Sequence, residues 1–236
     1  MPDLRQLSRL GQVWVDRTLD LIFPPHCVHC KRSGAVWCLD CQKLVSPAPL
    51  VIESHDDPNS PLAGRRAYAL FTGSVRSAIH ALKYEHKQRL AEPLGKHLAE
   101  TLISSGWRPD LCTAVPLHPE RLAERGYNQS ALLATHMAGL CHIRFEPEAI
   151  QRLRSTRPQV GLNYVDRQQN MADAFQGSSR FVQGQAVVIV DDVYTTGATL
   201  RACAAALRTA GASTVWALTV ASAASIDTDR GKDKSK

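Results

Sequence analysis

A short segment near the carboxyl end constrains the fold more than any other part of the chain. Residues 187–190 read Val-Val-Ile-Val, a continuous β-branched run typical of a strand buried on both faces of a parallel sheet. Asp191 and Asp192 follow, and then a loop rich in threonine and glycine. A helix is predicted next, ending near Gly211, and residues 214–220 have the pattern of another strand. The segment therefore predicts a βαβ unit whose loop lies at the carboxyl end of a strand, where open α/β sheets bind ligands.

The residue types of this loop suit a phosphate beside a diol. Gly197 allows the backbone to approach an anion closely, and the start of the following helix supplies free N–H groups. Further donors to phosphate oxygens are the hydroxyls of Thr195, Thr196 and Thr199. Asp191 and Asp192 would repel a phosphate, so they are better placed to accept hydrogen bonds from vicinal hydroxyls or to hold a metal–water shell. Together these features favour a ribose 5-phosphate ligand; the alternative is a threonine-capped turn without a ligand.

Four of the seven cysteines form two closely spaced pairs, Cys27-Val-His-Cys30 and Cys38-Leu-Asp-Cys41. Two such turns can complete a tetrahedral tetrathiolate site, which predicts structural zinc because no position is left open for water. Nearby His26 and His29 leave a Cys₃His site open. A redox pair, an iron–sulfur centre or buried free thiols are further alternatives.

Basic residues in the middle of the chain are candidates for binding an anion. Lys83 precedes a helical leucine pattern over residues 90–102, expected to break near Pro93, and it either reaches a phosphate or is a solvated surface lysine. Arg121 and Arg125 are four residues apart, and Arg125 precedes Gly126 in a predicted turn. A helix is predicted directly after this turn, with Asn128 as its N-cap. The two arginines suit pyrophosphate, although intervening glutamates could neutralise them as ordinary helix pairs.

Residues 152–167 form a third basic block, with four arginines and one acid. The proline and glycine within it predict a mobile loop, and its charge suits closure over pyrophosphate or contact with a nucleic-acid backbone. Arg154 and Arg167 are its candidate ligand-binding residues.

The string VVIVDDVYTTGAT resembles the signature of type I phosphoribosyltransferases, with Tyr194 as a departure. The resemblance implies that Asp191 and Asp192 contact the ribose hydroxyls of phosphoribosyl pyrophosphate (PRPP), bound with Mg²⁺. It also implies that the 5-phosphate lies on Thr195, Thr196, Gly197, Ala198 and Thr199. Threonine at 195, where purine-salvage members often have an acid, argues against ordinary purine salvage.

Several blocks together are similar to the ComF (GntX-type) family: LDLIFPP at 19–25, the cysteine pairs, PLHP at 116–119, RGYNQ at 125–129 and DDVYTTGAT. The resemblance spans roughly residues 19 to 221. It implies an α/β fold with an open, mostly parallel sheet, flanking helices and an amino-terminal zinc knuckle. It further implies a phosphoribosyltransferase with an unknown acceptor, with Asp191, Asp192 and Arg125 as catalytic residues, linked to natural competence and DNA uptake.

Alternatives to an enzyme are a non-catalytic PRPP or nucleotide sensor and a module that binds single-stranded DNA or a protein of the competence machinery. The formal charge of +6 suits an anionic partner, and equally simple solubility. No apolar run approaches the length of a membrane span, and charges interrupt the first 25 residues, so a cytoplasmic protein is expected. The predicted organisation is a helix and knuckle at 1–45, a linker at 46–64, the main domain at 65–221 and a disordered tail at 222–236.

Overall fold

The computed structural model describes residues 24–49, 60–153 and 174–223, and the sheet and helices below refer to these. The strands are β1 (Gly64–Leu70), β2 (Leu111–Ala114), β3 (Arg144–Phe145), β4 (Ile150–Arg152), β5 (Phe175–Gly177), β6 (Ala186–Tyr194) and β7 (Thr214–Ser222). The α-helices are α1 (Leu39–Lys43), α2 (Gly73–Tyr84), α3 (Ala91–Ser105), α4 (Pro119–Arg125), α5 (Gln129–Cys141), α6 (Ser179–Val182) and α7 (Ala198–Thr209).

Five strands form one parallel sheet in the order β1-β7-β6-β2-β3, which confirms the predicted α/β architecture. The β-branched run at 187–190 lies in β6, between β7 and β2, and is fully buried, as expected for a central strand. Because all five strands are parallel, their carboxyl ends meet at one edge, where Asp191 and Asp192 lie. β4 and β5 form a separate two-stranded antiparallel sheet.

Apolar side chains cover the sheet on both faces. Val188 and Val190 of β6 pack in a core with α2, α3 and α5, whereas Val187 and Ile189 pack in a second core with α7 and the β4–β5 sheet. Since side chains alternate along a strand, Asp192 continues the first face and Asp191 the second. The two acids at the end of β6 therefore begin on opposite sides of the sheet.

The cysteine knuckle, residues 27–41, packs directly against the main domain. Its buried Cys27 and Trp37 belong to the same core as α2, α3 and α5. Oγ of Ser74, in α2, donates to the carbonyl of Cys41 over 2.7 Å. The chain after the knuckle then pairs with β1 through an antiparallel bridge between Pro47 and Ala69, inside the predicted linker.

The leucine pattern over residues 90–102 forms α3, and the break lies just before that helix rather than at Pro93. Pro93 falls in the first turn, where its missing N–H leaves no helical hydrogen bond unmade. Within the described ranges, no helix has the length and apolar character needed to cross a bilayer. The predicted amino-terminal helix and most of the predicted tail lie outside the described residues.

Candidate functional site

The loop between β6 and α7 presents free backbone donors at the carboxyl edge of the sheet. The N–H groups of Thr195, Thr196 and Gly197 have no hydrogen-bond partner in the described part of the chain, and both threonines are exposed. Ala198 and Thr199 open α7, whose first-turn N–H groups face the same loop. Unpaired amides at a helix start carry partial positive charge, so the loop can hold an anion such as phosphate.

Tyr194 packs beneath this loop and explains why position 197 requires glycine. Gly197 has φ +74°, and a Cβ there would lie 2.6 Å from Cε2 of the Tyr194 ring. The guanidinium of Arg65 lies 4.0 Å above that ring, and Nη2 of Arg201 donates to the carbonyl of Thr196 over 2.6 Å. Sequence reasoning missed both arginines; for Arg201 the only available signal was its position one turn after the loop.

Gly197→Ala is expected to lower the free energy of unfolding by about 2 kcal/mol, because the added methyl group meets a rigid ring at a positive φ. The matched control is Gly139→Ala in α5, where nothing lies within 4 Å of the added Cβ. That change should stabilise the protein by up to about 1 kcal/mol. Urea unfolding of both variants measures the difference, and equal effects would contradict the proposed fit of Tyr194 against the loop.

The paired acids are held by side chains from α2 and α5. Asp192 is 3% exposed. Its Oδ1 pairs with Nζ of Lys83 over 2.6 Å, and its Oδ2 accepts from Nε2 of Gln129 over 2.6 Å. Asp191 accepts from Oγ of Ser130 over 2.7 Å. Both carboxylates are thus oriented by the protein before any ligand binds.

Burial and the neighbouring charge of Asp192 raise the pKa of Asp191 to about 7. Ser130 and Lys83 oppose that rise but do not cancel it. Two close carboxylates in a partly dry site behave this way, since ionising both is unfavourable without a cation. A cation at the pair would relieve that repulsion, and Asp191, which is partly exposed, is the more accessible of the two carboxylates because Asp192 is buried.

Lys83 is not the solvated surface lysine that the sequence left open. Its side chain is only 21% exposed and its charge is paired with Asp192. Its binding of phosphate remains a prediction.

Arg125 is linked to Asp192 of the acid pair through Gln129, whereas Arg121 has different neighbours. Nη1 of Arg125 donates to Oε1 of Gln129, and its guanidinium lies 5.5 Å from the ring centre of Tyr84. Arg121 is exposed, and its charge lowers the pKa of Arg152 in addition to the larger effect of burial. Within the described ranges neither Arg121 nor Arg125 pairs with an acid, so the alternative in which neighbouring glutamates neutralise them is not seen. Arg154 and Arg167 lie outside the described residues.

Gln129 and Ser130 were missed as site residues. Both lie at the start of α5, where the predicted N-cap residue Asn128 accepts from the backbone N–H of Ser130 over 3.0 Å. That cap places the first turn of α5 against the end of β6. Their position directly after a predicted N-cap was the available signal.

The four knuckle cysteines meet in one cluster, with all Sγ atoms within 4.8 Å of one another. Sγ of Cys30 and Sγ of Cys38 are 3.6 Å apart, close to the ~3.8 Å that a tetrahedron with Zn–S bonds of about 2.3 Å requires. Burial would raise the pKa of Cys27, but backbone N–H groups of Cys38, Cys30 and His29 lower it to about 6. Burial and hydrogen bonds that the Cys41 thiol donates to the other three sulfurs raise the pKa of Cys41 to about 12. A divalent cation would allow all four thiols to ionise together, so the donor set fits zinc.

The nearby histidines make other contacts. Nε2 of His26 lies 3.1 Å from Oγ of Ser33, and Nδ1 of His29 lies 3.1 Å from Oγ of Ser77 in α2. The Cys₃His alternative is therefore wrong, and His29 instead links the knuckle to α2.

Comparison with known proteins finds similarity over most of the chain. A family model described as phosphoribosyl transferase domain matches residues 143–236. "DNA utilization protein YhgH" of Escherichia coli is 37% identical over 147 residues, covering 59% of this chain and 64% of that protein. The Salmonella typhimurium protein of the same name is 35% identical over 155 residues, covering 63% and 68%. "Competence protein F" of Haemophilus influenzae is 28% identical over 202 residues, covering 83% and 79%.

Among solved structures, the glutamine PRPP amidotransferase from B. subtilis is 27% identical with a TM-score of 0.41, covering 55% of this chain and 26% of that one. The chain thus spans less than two thirds of the length of the Escherichia coli relative.

Proposed function

Because the chain belongs to the ComF family of phosphoribosyltransferase-like proteins, we propose that it binds PRPP with Mg²⁺ at the carboxyl edge of its sheet. The observation that carries the proposal is the juxtaposition of unpaired N–H groups at Thr195, Thr196 and Gly197 with the carboxylates of Asp191 and Asp192. The loop would hold the 5-phosphate, and the acids would accept hydrogen bonds from the ribose diol.

The opposite end of the ligand would lie among basic side chains. Arg125 has no acidic partner in the residues described, and Lys83 lies beside Asp192. We expect both to face pyrophosphate, joined by Arg121, Arg154 and Arg167. Cations aimed at pyrophosphate oxygens stabilise the charge that develops when the bond to ribose C1 breaks.

Mg²⁺ fits the donor set because Asp191 and Asp192 offer hard oxygen ligands beside a polyphosphate. The cation would neutralise the bound pyrophosphate, while the protein fixes the position of ribose C1. The acceptor that would attack C1 is not specified by these residues, so both transfer to an acceptor and a purely sensing role are consistent with binding.

Calorimetric titration of PRPP with Mg²⁺ tests the proposal. We expect binding by the native chain and at least a hundredfold loss of affinity in Asp191→Asn/Asp192→Asn. The affinity should increase as the pH rises through 7, because the ionised form of Asp191 is the one that accepts diol hydroxyls, and its pKa is about 7. An unchanged affinity in the double variant would contradict the site. Pyrophosphate release with candidate acceptors then separates an enzyme from a sensor.

The names of the relatives, competence protein and DNA utilization protein, support a role in the uptake or reuse of DNA. One observation favours direct contact with a single strand as a second candidate function. Tyr84 is 64% exposed, its ring lies 5.0 Å from that of His80, and Arg125 lies on it as well. An exposed ring beside basic groups can stack a base, although the aromatic residues of this sequence are not interleaved with basic ones along the chain.

Tyr84→Ala is expected to weaken binding of a short thymidine oligonucleotide about tenfold, whereas Tyr84→Phe should retain it, since stacking needs only the ring. Fluorescence anisotropy at several salt concentrations measures both variants, and affinity should fall steeply with salt. Affinity that is independent of salt and of Tyr84 would exclude this candidate.

A further inference from the structure

Gln129 lies buried between two side chains of opposite charge. Its Oε1 accepts a hydrogen bond from Nη1 of Arg125, and its Nε2 donates to Oδ2 of Asp192 over 2.6 Å. The residue is only 4% exposed, so water has little access to either contact. An amide satisfies a cation through its oxygen and an anion through its nitrogen, and the two charges therefore fix its orientation.

We propose that Gln129 is a positioning residue that couples the two ends of the ligand site. This inference rests on the proposed function, in which Asp192 holds the ribose diol and Arg125 holds pyrophosphate. Donation to Oδ2 of Asp192 directs the other oxygen, Oδ1, towards Lys83 at 2.6 Å. Acceptance from Nη1 of Arg125 holds that guanidinium at the ring of Tyr84 and leaves its remaining N–H groups for an anion.

Gln129 sets the distance between the guanidinium of Arg125 and the carboxylate of Asp192. A ligand that contacts both must find them at the spacing of its own diol and pyrophosphate, and small displacements of positioned groups reduce binding strongly. Arg125 lies at the end of α4, and Asp192 lies in β6, so the two belong to different elements. Gln129, at the first residue of α5, bridges them with one rigid amide.

Gln129→Glu separates the two contacts, because the carboxylate keeps an acceptor for Arg125 but replaces the donor to Asp192 with a second negative charge. The probes are inorganic pyrophosphate and ribose 5-phosphate, titrated separately with Mg²⁺. We expect affinity for pyrophosphate to stay within about threefold and affinity for ribose 5-phosphate to fall at least tenfold. Equal loss of both, or loss of neither, would overturn the proposal.

A measurement without ligand keeps the inference independent of the proposed function. Urea unfolding of Arg125→Met, Asp192→Asn and the double variant measures whether the two effects add. In the native background, the unfolding equilibrium constant of the double variant should differ at least about twofold from the value that independent effects would give. The coupling should vanish in Gln129→Met and persist in Gln185→Met, the same change at the opposite edge of the sheet. Coupling that persists in Gln129→Met would overturn the inference. Failure of the native chain to bind either probe, with the coupling intact, would refute only the proposed function.

Discussion

Removal of metal from the four-cysteine cluster is expected to lower the thermal midpoint of unfolding by about 10 °C or more. Zinc bound to a structural site contributes about 10–16 kcal/mol of apparent binding free energy in small peptides, so even a part of this is a large share of a domain's stability. Within residues 27–41 only Cys27, Trp37 and Cys41 are buried, so the knuckle has little hydrophobic core of its own. Its four Sγ atoms lie within 4.8 Å of one another, so without a cation the ionised thiolates would repel each other.

The loss should extend to the ligand site, because the knuckle contacts α2. Ser74 donates to the carbonyl of Cys41, and His29 lies 3.1 Å from Ser77. The same helix carries Lys83 in its last turn. We therefore expect metal-free protein that remains folded to bind PRPP more weakly than the metal-loaded form.

Cys30→Ser tests the metal directly, since Cys30 is exposed and the substitution buries no hydroxyl. Cys141→Ser is the matched control, a cysteine outside the cluster. We expect metal content and thermal midpoint to fall together in Cys30→Ser, with Cys141→Ser losing no metal. Elemental analysis and circular dichroism with added chelator measure both. A purified chain without metal, or a Cys30→Ser variant of native stability, would contradict the zinc assignment.

Local patterns predicted much of this architecture. The β-branched run, the acid pair and the threonine–glycine loop are contiguous in sequence, so their strand–loop–helix geometry follows from short-range rules. The two cysteine pairs likewise lie within fifteen residues, 27–41, so their meeting in one cluster follows from local spacing. Asn128 was predicted as an N-cap from its residue type alone, and it caps α5.

Contacts between distant segments could not be predicted in this way. The partner of Lys83 is set by where the end of α2 lies relative to the end of β6, and no pattern near residue 83 indicates a buried carboxylate. The same holds for Gln129, whose role depends on where α4 ends relative to the sheet. The docking of His29 on Ser77 also requires the tertiary fold, since a histidine between two cysteines is by sequence an equally good metal ligand.

The ion pair between Lys83 and Asp192 leads to the second large effect. Lys83→Met is expected to lower the free energy of unfolding by about 3 kcal/mol, because it leaves a carboxylate whose side chain is 4% exposed without its counter-charge. Lys96→Met, at an exposed position of α3, is the matched control and should change stability by less than about 0.5 kcal/mol. Urea unfolding at pH 7 measures both.

Lys83→Met/Asp192→Asn distinguishes a lost charge pair from lost packing. With the carboxylate neutralised, the methionine has no uncompensated charge beside it, and stability should return to within about 1 kcal/mol of the native value. A double variant no more stable than Lys83→Met would show that the lysine stem, not its charge, stabilises the fold.

The single variant Lys83→Met also tests the role of this ion pair in ligand binding. Lys83 is paired with Oδ1 of Asp192 before any ligand binds. We therefore expect Lys83→Met to bind Mg²⁺ alone more tightly than the native chain does. We expect it to bind PRPP more weakly, because PRPP loses a cationic contact. Opposite shifts for the two ligands are what the loss of one positive charge inside the site produces, and shifts in the same direction would contradict a role for the Lys83 charge in ligand binding.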